Sequence, residues 1–403
     1  MQLKDVNLTP EQIKEKTKKY MIETYERFPF IACRASGVYL YDENDNAYLD
    51  FYGGVAVNSV GNCNPKVVAA IQEQAAQLIH TFNYPYSIPQ SVLAELICET
   101  TGMDKLIYQN SGAEANEAMI KIARKYGVDN FGPNKYHIVT ALKSFHGRTY
   151  GAMSATGQPG SALHIGFEPL TPGFTYAEFN NLDAFKAAVT DDTIAIMVEP
   201  VQGEGGVYPA TEEFLVGLRK FCDEKGMLLL LDEIQSGWCR TGKPMCYQHY
   251  GIKPDAVSMA KAMGGGYPIS AMACTDKLAK TFNPGSHGST WAGNALGCAA
   301  SYASIKELLD NDLAGNAQVV GDYFAEKLAT LPHVVEVRHK GLFVGVEFDI
   351  EKALDIKHAA LDRYLLTTAI GSKVIRMVPP LIVTKEDCDK CVEILRASVE
   401  SVL

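Results

Sequence analysis

No stretch of this 403-residue sequence stays apolar for long. The longest uniformly aliphatic run, Met227 to Leu231, is far too short to span a bilayer. Basic charge is also scarce: 37 Lys and Arg against 47 Asp and Glu leave a net charge of −10. That excludes nucleic acid or an anionic membrane surface as the main partner. Hydrophobic residues at 47% and charged ones at 21% exclude disorder as the main state. No second CxxC and no HxxxH accompany Cys388 and Cys391, so the ten cysteines read as reduced core thiols and no metal site is expected. No GxGxxG or GK[ST] pattern supports a nucleotide fold. No apolar segment follows Met1-Gln2-Leu3-Lys4-Asp5, and Asp5, Glu11 and Glu15 argue against an organellar transit sequence. The expectation is a cytoplasmic protein.

What is present is an alternation. Thr9 caps a helix expected from Pro10 to about Glu26, with Gln12 closing a capping box. Residues 38–41 and 47–51 flank a polar turn and predict a hairpin; Pro65 opens a helix to about Leu78. From about 90 to 300, strands are expected at 105–109, 137–141, 194–199, 228–232 and 256–259, with helices at 91–101, 113–126, 182–189 and 212–225. Short apolar strands between amphipathic helices imply an α/β fold with a mostly parallel sheet covered on both faces. Beyond 298, helices at 299–309 and 317–331, strands at 334–339 and 342–348 and a helix from Glu386 read as a smaller α+β domain. The division is 1–60, an N-terminal helix and hairpin; 61–297, a large domain; and 298–403, a small one.

The unusual residues follow the strands, where open α/β sheets gather ligands. Ser111-Gly112-Ala113-Glu114 reads as a phosphate-ready helix start and equally as an ordinary capping box. Phe145, His146 and Arg148 follow the second strand as a stacking ring, a histidine and a carboxylate-binding arginine, or as a plain surface loop. Glu199 and Glu204 stand in a glycine-rich turn, able to pair with arginines or to face solvent. Asp232 ends Leu228-Leu229-Leu230-Leu231 and, half buried, needs a cation or several donors; a protonated pyridine nitrogen serves. Lys261 follows the next strand and precedes three glycines; it is a desolvated nucleophile or a snorkelling lysine. Each signal is modest, but their order matches the requirements of pyridoxal phosphate: a lysine for covalent attachment, a partner for the ring nitrogen, a phosphate cup and a stacking ring.

With these motifs in view, the chain resembles the class-III, fold type I pyridoxal-phosphate aminotransferases. The likeness runs from about Thr24 to Val383. It is carried by residues 110–116, Phe145-His146-Gly147-Arg148-Thr149, residues 199–206, Asp232-Glu233-Ile234-Gln235, Lys261 and Gly285-Ser286-His287-Gly288-Ser289-Thr290. The resemblance implies that Lys261 and Asp232 are catalytic, and that Ser111, Gly112, Ala113, Phe145, His146, Gln235 and Thr290 join them in holding pyridoxal 5'-phosphate. Thr290 is expected to reach the phosphate of a neighbouring subunit, which implies a homodimer. Tyr25, Arg148, Glu204, Ser289 and Arg376 are the implied substrate residues, with Glu204 switching Arg376 between two substrates. The chain departs from the family's pattern at Asn62 and Asn64, at Trp291-Ala292 and at Cys239.

The reaction implied is ping-pong transfer of the terminal amino group of N-acetylornithine to 2-oxoglutarate. Ornithine, 4-aminobutyrate and succinyldiaminopimelate are alternative donors. An aminomutase or epimerase, and a catalytically silent protein on the same fold, are the rival classes.

Overall fold

The computed structural model describes residues 3–403; Met1 and Gln2, which open the N-terminal reading, lie outside it. The centre is a seven-stranded sheet of β1 (Lys105–Gln109), β2 (His137–Ala141), β3 (Phe174–Ala177), β4 (Thr193–Val198), β5 (Leu228–Asp232), β6 (Ala256–Met259) and β7 (Ser270–Cys274). Their spatial order is β1-β7-β6-β5-β4-β2-β3. From β6 to β3 every pairing is parallel, whereas β7 runs antiparallel to both neighbours.

The apolar runs explain why this sheet is central. Every residue of β4 and β5 is buried, so neither strand has a solvent face to mark with polar residues. Successive side chains feed opposite layers. Ile196, Val198, Leu229 and Leu231 join one core, while Met197, Leu228 and Leu230 join the other beneath the helix Gly112–Phe131. Each fully buried leucine contributes on the order of 1.5–3 kcal/mol.

The chain ends build the smaller part. The hairpin Tyr39–Tyr41/Ala47–Asp50 forms as expected, its turn closed by Asp42 Oδ1 accepting the Asn44 and Asn46 N–H groups (both 2.9 Å). Arg34–Ser36 joins one edge, and Leu365–Leu366 pairs in parallel with Ala47–Asp50, stitching the two ends together. A second sheet orders Val334–Lys340, Phe343–Phe348, Val374–Met377 and Thr368–Ile370 side by side, all antiparallel. The closing helix Lys385–Ser401 buries Cys388 and Cys391 one turn apart. Among the described residues no helix is long and apolar enough to cross a membrane.

Three expectations need correction. The first long helix ends at Tyr20, not near Glu26. It buries none of its residues, and beyond it β-branched Ile22 and Thr24 and then Pro29 oppose continuation. Two strands of the main sheet, β3 and β7, were not anticipated. The helices after 290 start four residues earlier than expected, at Ala295 and Leu313, each capped by an Asn or Asp side chain.

Candidate active site

The carboxyl ends of β2, β4, β5 and β6 and the start of the helix Gly112–Phe131 meet around one cavity of about 520 Å³. Ser111, Gly112, Ala113, Phe145, His146, Arg148, Asp232, Gln235 and Lys261 all line it, together with Glu199 and Tyr267.

The helix start is capped by its own side chains. Ser111 Oγ accepts the Glu114 N–H (3.3 Å) and donates to Glu114 Oε2 (3.0 Å), which also takes the Asn110 N–H (3.0 Å). This satisfies the cap internally and leaves the Gly112 and Ala113 N–H ends at the cavity wall. The space around them is tight. A Cβ on Gly112 would lie 2.9 Å from Ile234 Cδ1, and one on Gly147, at φ +138°, would lie 2.7 Å from the Ala113 Cβ. Backbone donors in a tight cup suit an anion.

Asp232 ends β5 almost fully buried. Its Oδ2 accepts from Asn116 Nδ2 (2.7 Å) and His146 Nδ1 (2.8 Å), and its Oδ1 accepts the Ile234 N–H (3.0 Å). Among the described residues no lysine or arginine forms an ion pair with it. With Nδ1 donating, the buried Nε2 of His146 has no partner.

Lys261 follows β6 in the left-handed region at φ +46°, unusual for a side chain of its length. Burial, reinforced by Arg376, lowers its ammonium pKa to about 8 against the opposing pull of Glu204, Asp232 and Glu199. At pH 7 about a tenth of it is therefore free amine, far more than for an ordinary lysine. Glu199 neither meets an arginine nor faces solvent. It is buried, accepts the N–H groups of Phe145 (3.1 Å) and Gly203 (3.4 Å), and burial with Asp232 nearby pushes its carboxyl well up.

The remaining residues divide. Arg376, on Val374–Met377, donates to Glu204 Oε1 (2.5 Å) and to Gln235 Oε1 (3.3 Å), so the pair stands directly behind Gln235. Burial works against the Glu204 carboxylate, but Arg376 holds it below its usual range. Ser289 touches the cup by accepting from Asn110 Nδ2 (3.1 Å). Arg148 is exposed at the cavity, its guanidinium 5.8 Å from the Phe145 ring centre. Thr290 and Tyr25 are exposed and outside the lining; Tyr25 lies close enough to perturb Tyr52, which also feels Arg376. Two residues that sequence reasoning passed over, Asn116 and Ser258, are fully buried beneath Asp232. Asn116 stood inside a quoted motif, but a lone polar residue on a helix or strand carries no signal of its own.

Known proteins resemble this chain over nearly its whole length. The family model described as Aminotransferase class-III matches residues 20–399. The acetylornithine aminotransferase of Caldanaerobacter subterraneus subsp. tengcongensis is 46% identical over 382 residues, 94% of this chain and 96% of that protein. The crystal structure of ornithine aminotransferase from Toxoplasma gondii superposes with a TM-score of 0.94 at 31% identity, covering 99% of this chain and 97% of that one. A second structure of that enzyme, described as having partial occupancy of PLP at the active site, gives 0.92 at 32%, covering 98% and 95%.

Proposed function

The chain belongs to the class-III aminotransferases, and from that premise we propose that it transfers the terminal amino group of N-acetylornithine to 2-oxoglutarate, yielding N-acetylglutamate semialdehyde and glutamate. The observation that carries the reaction class is the convergence of Lys261 and Asp232 from adjacent strand ends on one cavity with a backbone anion cup. The donor rests on the likeness to acetylornithine aminotransferases over nearly the whole chain.

The cofactor is pyridoxal 5'-phosphate, and the residues present fit it. Asp232 is a buried carboxylate awaiting a cation, the Gly112–Ala113 cup awaits an anion, and Lys261 is a half-buried amine of reduced proton affinity. When bound, the group supplies an electron sink for the pair released at the amine-bearing carbon. Lys261 would hold the group through Nζ, and its free Nζ would serve as the base for the proton on the amine-bearing carbon. Asp232 would hold a proton on the ring nitrogen, and Phe145 and Gln235 would help to hold the ring. With an ω-amine donor, Glu204 keeps Arg376 occupied, so no α-carboxylate is drawn beside Lys261. With 2-oxoglutarate, Glu204 gives Arg376 up to the α-carboxylate, and Arg148 takes the distal one.

The reading includes a homodimer in which Thr290 reaches the partner's cofactor phosphate. It is supported by a band of exposed apolar side chains beside the site: Tyr84, Tyr86, Ile88 and Trp291. Asn83 ties two of its segments together by donating to the Ala292 carbonyl (3.1 Å).

Ornithine is the second reading, favoured by the close superposition on ornithine aminotransferase. A panel of ω-amines assayed with 2-oxoglutarate decides. N-acetylornithine is expected to exceed ornithine in kcat/KM by about tenfold or more, an energy difference of about 1.4 kcal/mol. The reverse order would assign ornithine, and turnover without an oxoacid would replace the transaminase by a mutase. A pure protein that stays colourless and takes up no added cofactor would leave only the silent-fold reading.

A further inference from the structure

Beneath the site runs a buried polar network whose two deepest members, Asn116 and Ser258, have no part in the proposed chemistry. Asn116 lies on the second turn of the helix Gly112–Phe131, Ser258 lies on β6, and neither lines the cavity. Ser258 Oγ donates to Asn116 Oδ1 (2.7 Å). Asn116 Nδ2 donates to Asp232 Oδ2 (2.7 Å) and to the His146 carbonyl (2.6 Å). His146 Nδ1 returns to the same Oδ2 (2.8 Å).

These contacts allow the Asn116 amide one orientation. Both of its N–H bonds point at acceptors, a carboxylate oxygen and a backbone carbonyl. Turned over, its oxygen would face both of them, and two lone-pair repulsions would replace two hydrogen bonds. The Ser258 hydroxyl supplies the one donor that the Oδ1 side requires. The amide in turn constrains Asp232. Oδ2 receives two N–H groups, while Oδ1 receives only the Ile234 N–H (3.0 Å) and keeps acceptor capacity. Because Asn116 also holds the His146 backbone, carboxylate and imidazole are fixed from the same point. All four residues are buried, where an unmade hydrogen bond is costly and a made one is strong.

Resting on the pyridoxal-phosphate reading above, we propose that Asn116 is the positioning residue that aims the Asp232 carboxylate at the cofactor's ring nitrogen, and that Ser258 sets the orientation of Asn116. Neither touches the cofactor or substrate; both act through Asp232.

The test compares Ser258→Ala, Ser258→Thr and Asn116→Ala holoenzymes with the wild type. Three quantities are read: the pH titration of the bound cofactor's absorbance, its retention on dialysis, and kcat per bound cofactor. Ser258→Ala is expected to shift the titration midpoint and lower kcat by about tenfold, the scale of one buried hydrogen bond to a charged network. Ser258→Thr, which keeps the hydroxyl, should titrate and turn over nearly as the wild type. Asn116→Ala should lose about a hundredfold in kcat and retain cofactor at least about tenfold more weakly. A purely structural network predicts a lower melting temperature but wild-type spectra and wild-type kcat per bound cofactor in every variant, and that result overturns the proposal. If Asn116→Ala does not fold, the Ser258 pair decides alone. If the wild type itself binds no pyridoxal phosphate, the parent reading fails instead, and the two failures are told apart before any variant is made.

Discussion

Lys261 shows what one residue of this site costs the fold. Its ammonium pKa falls from 10.5 to about 8. Below pH 8 both folded and unfolded chains carry the proton, and the folded one bears the full penalty of burying it. Between 8 and 10.5 the unfolded chain binds more protons, so stability rises with pH; above 10.5 the penalty is gone. At about 1.4 kcal/mol per unit the penalty is on the order of 3 kcal/mol at neutral pH. The cofactor-free Lys261→Met protein should therefore be up to about 3 kcal/mol more stable than the cofactor-free wild type at pH 7. That gain should shrink by pH 9.5. Urea denaturation at both values checks it, and a gap that does not change with pH would remove desolvation as its cause. The same desolvation is what makes the amine available for chemistry.

At the scale of elements, the site is set by how closely backbones approach. The loop after β2 presses Gly147 against Ala113 at the start of the helix Gly112–Phe131. Gly147→Ala places a methyl where only about 2.7 Å is open and forces a side chain onto φ +138°. Overpacking of this kind costs about 1–3 kcal/mol. We expect a lower melting temperature and cofactor affinity reduced by about tenfold or more, read by equilibrium dialysis; unchanged affinity would mean that the cup does not hold the phosphate. Of the strands that lead to this loop and to Asp232 and Lys261, β5 was the most legible, an unbroken leucine run ending in Asp232. β7 was not legible. Its Ser270-Ala271-Met272-Ala273-Cys274 has no β-branched or aromatic residue, and only its place between β1 and β6 makes it a strand. β3 is a four-residue edge, too short to show a period. Asn116 and Ser258 stayed hidden because a single polar residue on a buried face looks the same in sequence whether it serves chemistry or packing. Arg376 and Thr290 came only from the family resemblance, since neither stands in a motif with the strand-end residues.

Across the whole molecule, distant segments are held by few groups. Arg240 is fully buried and donates to the Leu342 carbonyl (3.0 Å), the Pro379 carbonyl (2.6 Å) and Ser59 Oγ (3.0 Å). It thus joins the large sheet's neighbourhood to both chain ends, although burial lowers its pKa to about 9. Arg240→Ala strands three acceptors and opens a cavity, which should destabilise the protein by about 3 kcal/mol or more in chemical denaturation. The proposed dimer is tested at the same scale. Tyr86→Asp with Trp291→Asp should yield a monomer by light scattering, with weakened cofactor retention; a wild type that is itself monomeric would dismiss the dimer. The position of β7 has a consequence for synthesis. β1 touches the rest of the sheet only through β7, which leaves the ribosome about 160 residues later, on the order of 10–30 s at the usual rate of translation. Until then β1 has no partner strand in the sheet. The cavity wall shared by Ser111 and Ile269 is therefore completed only once β7 has been made, late in synthesis.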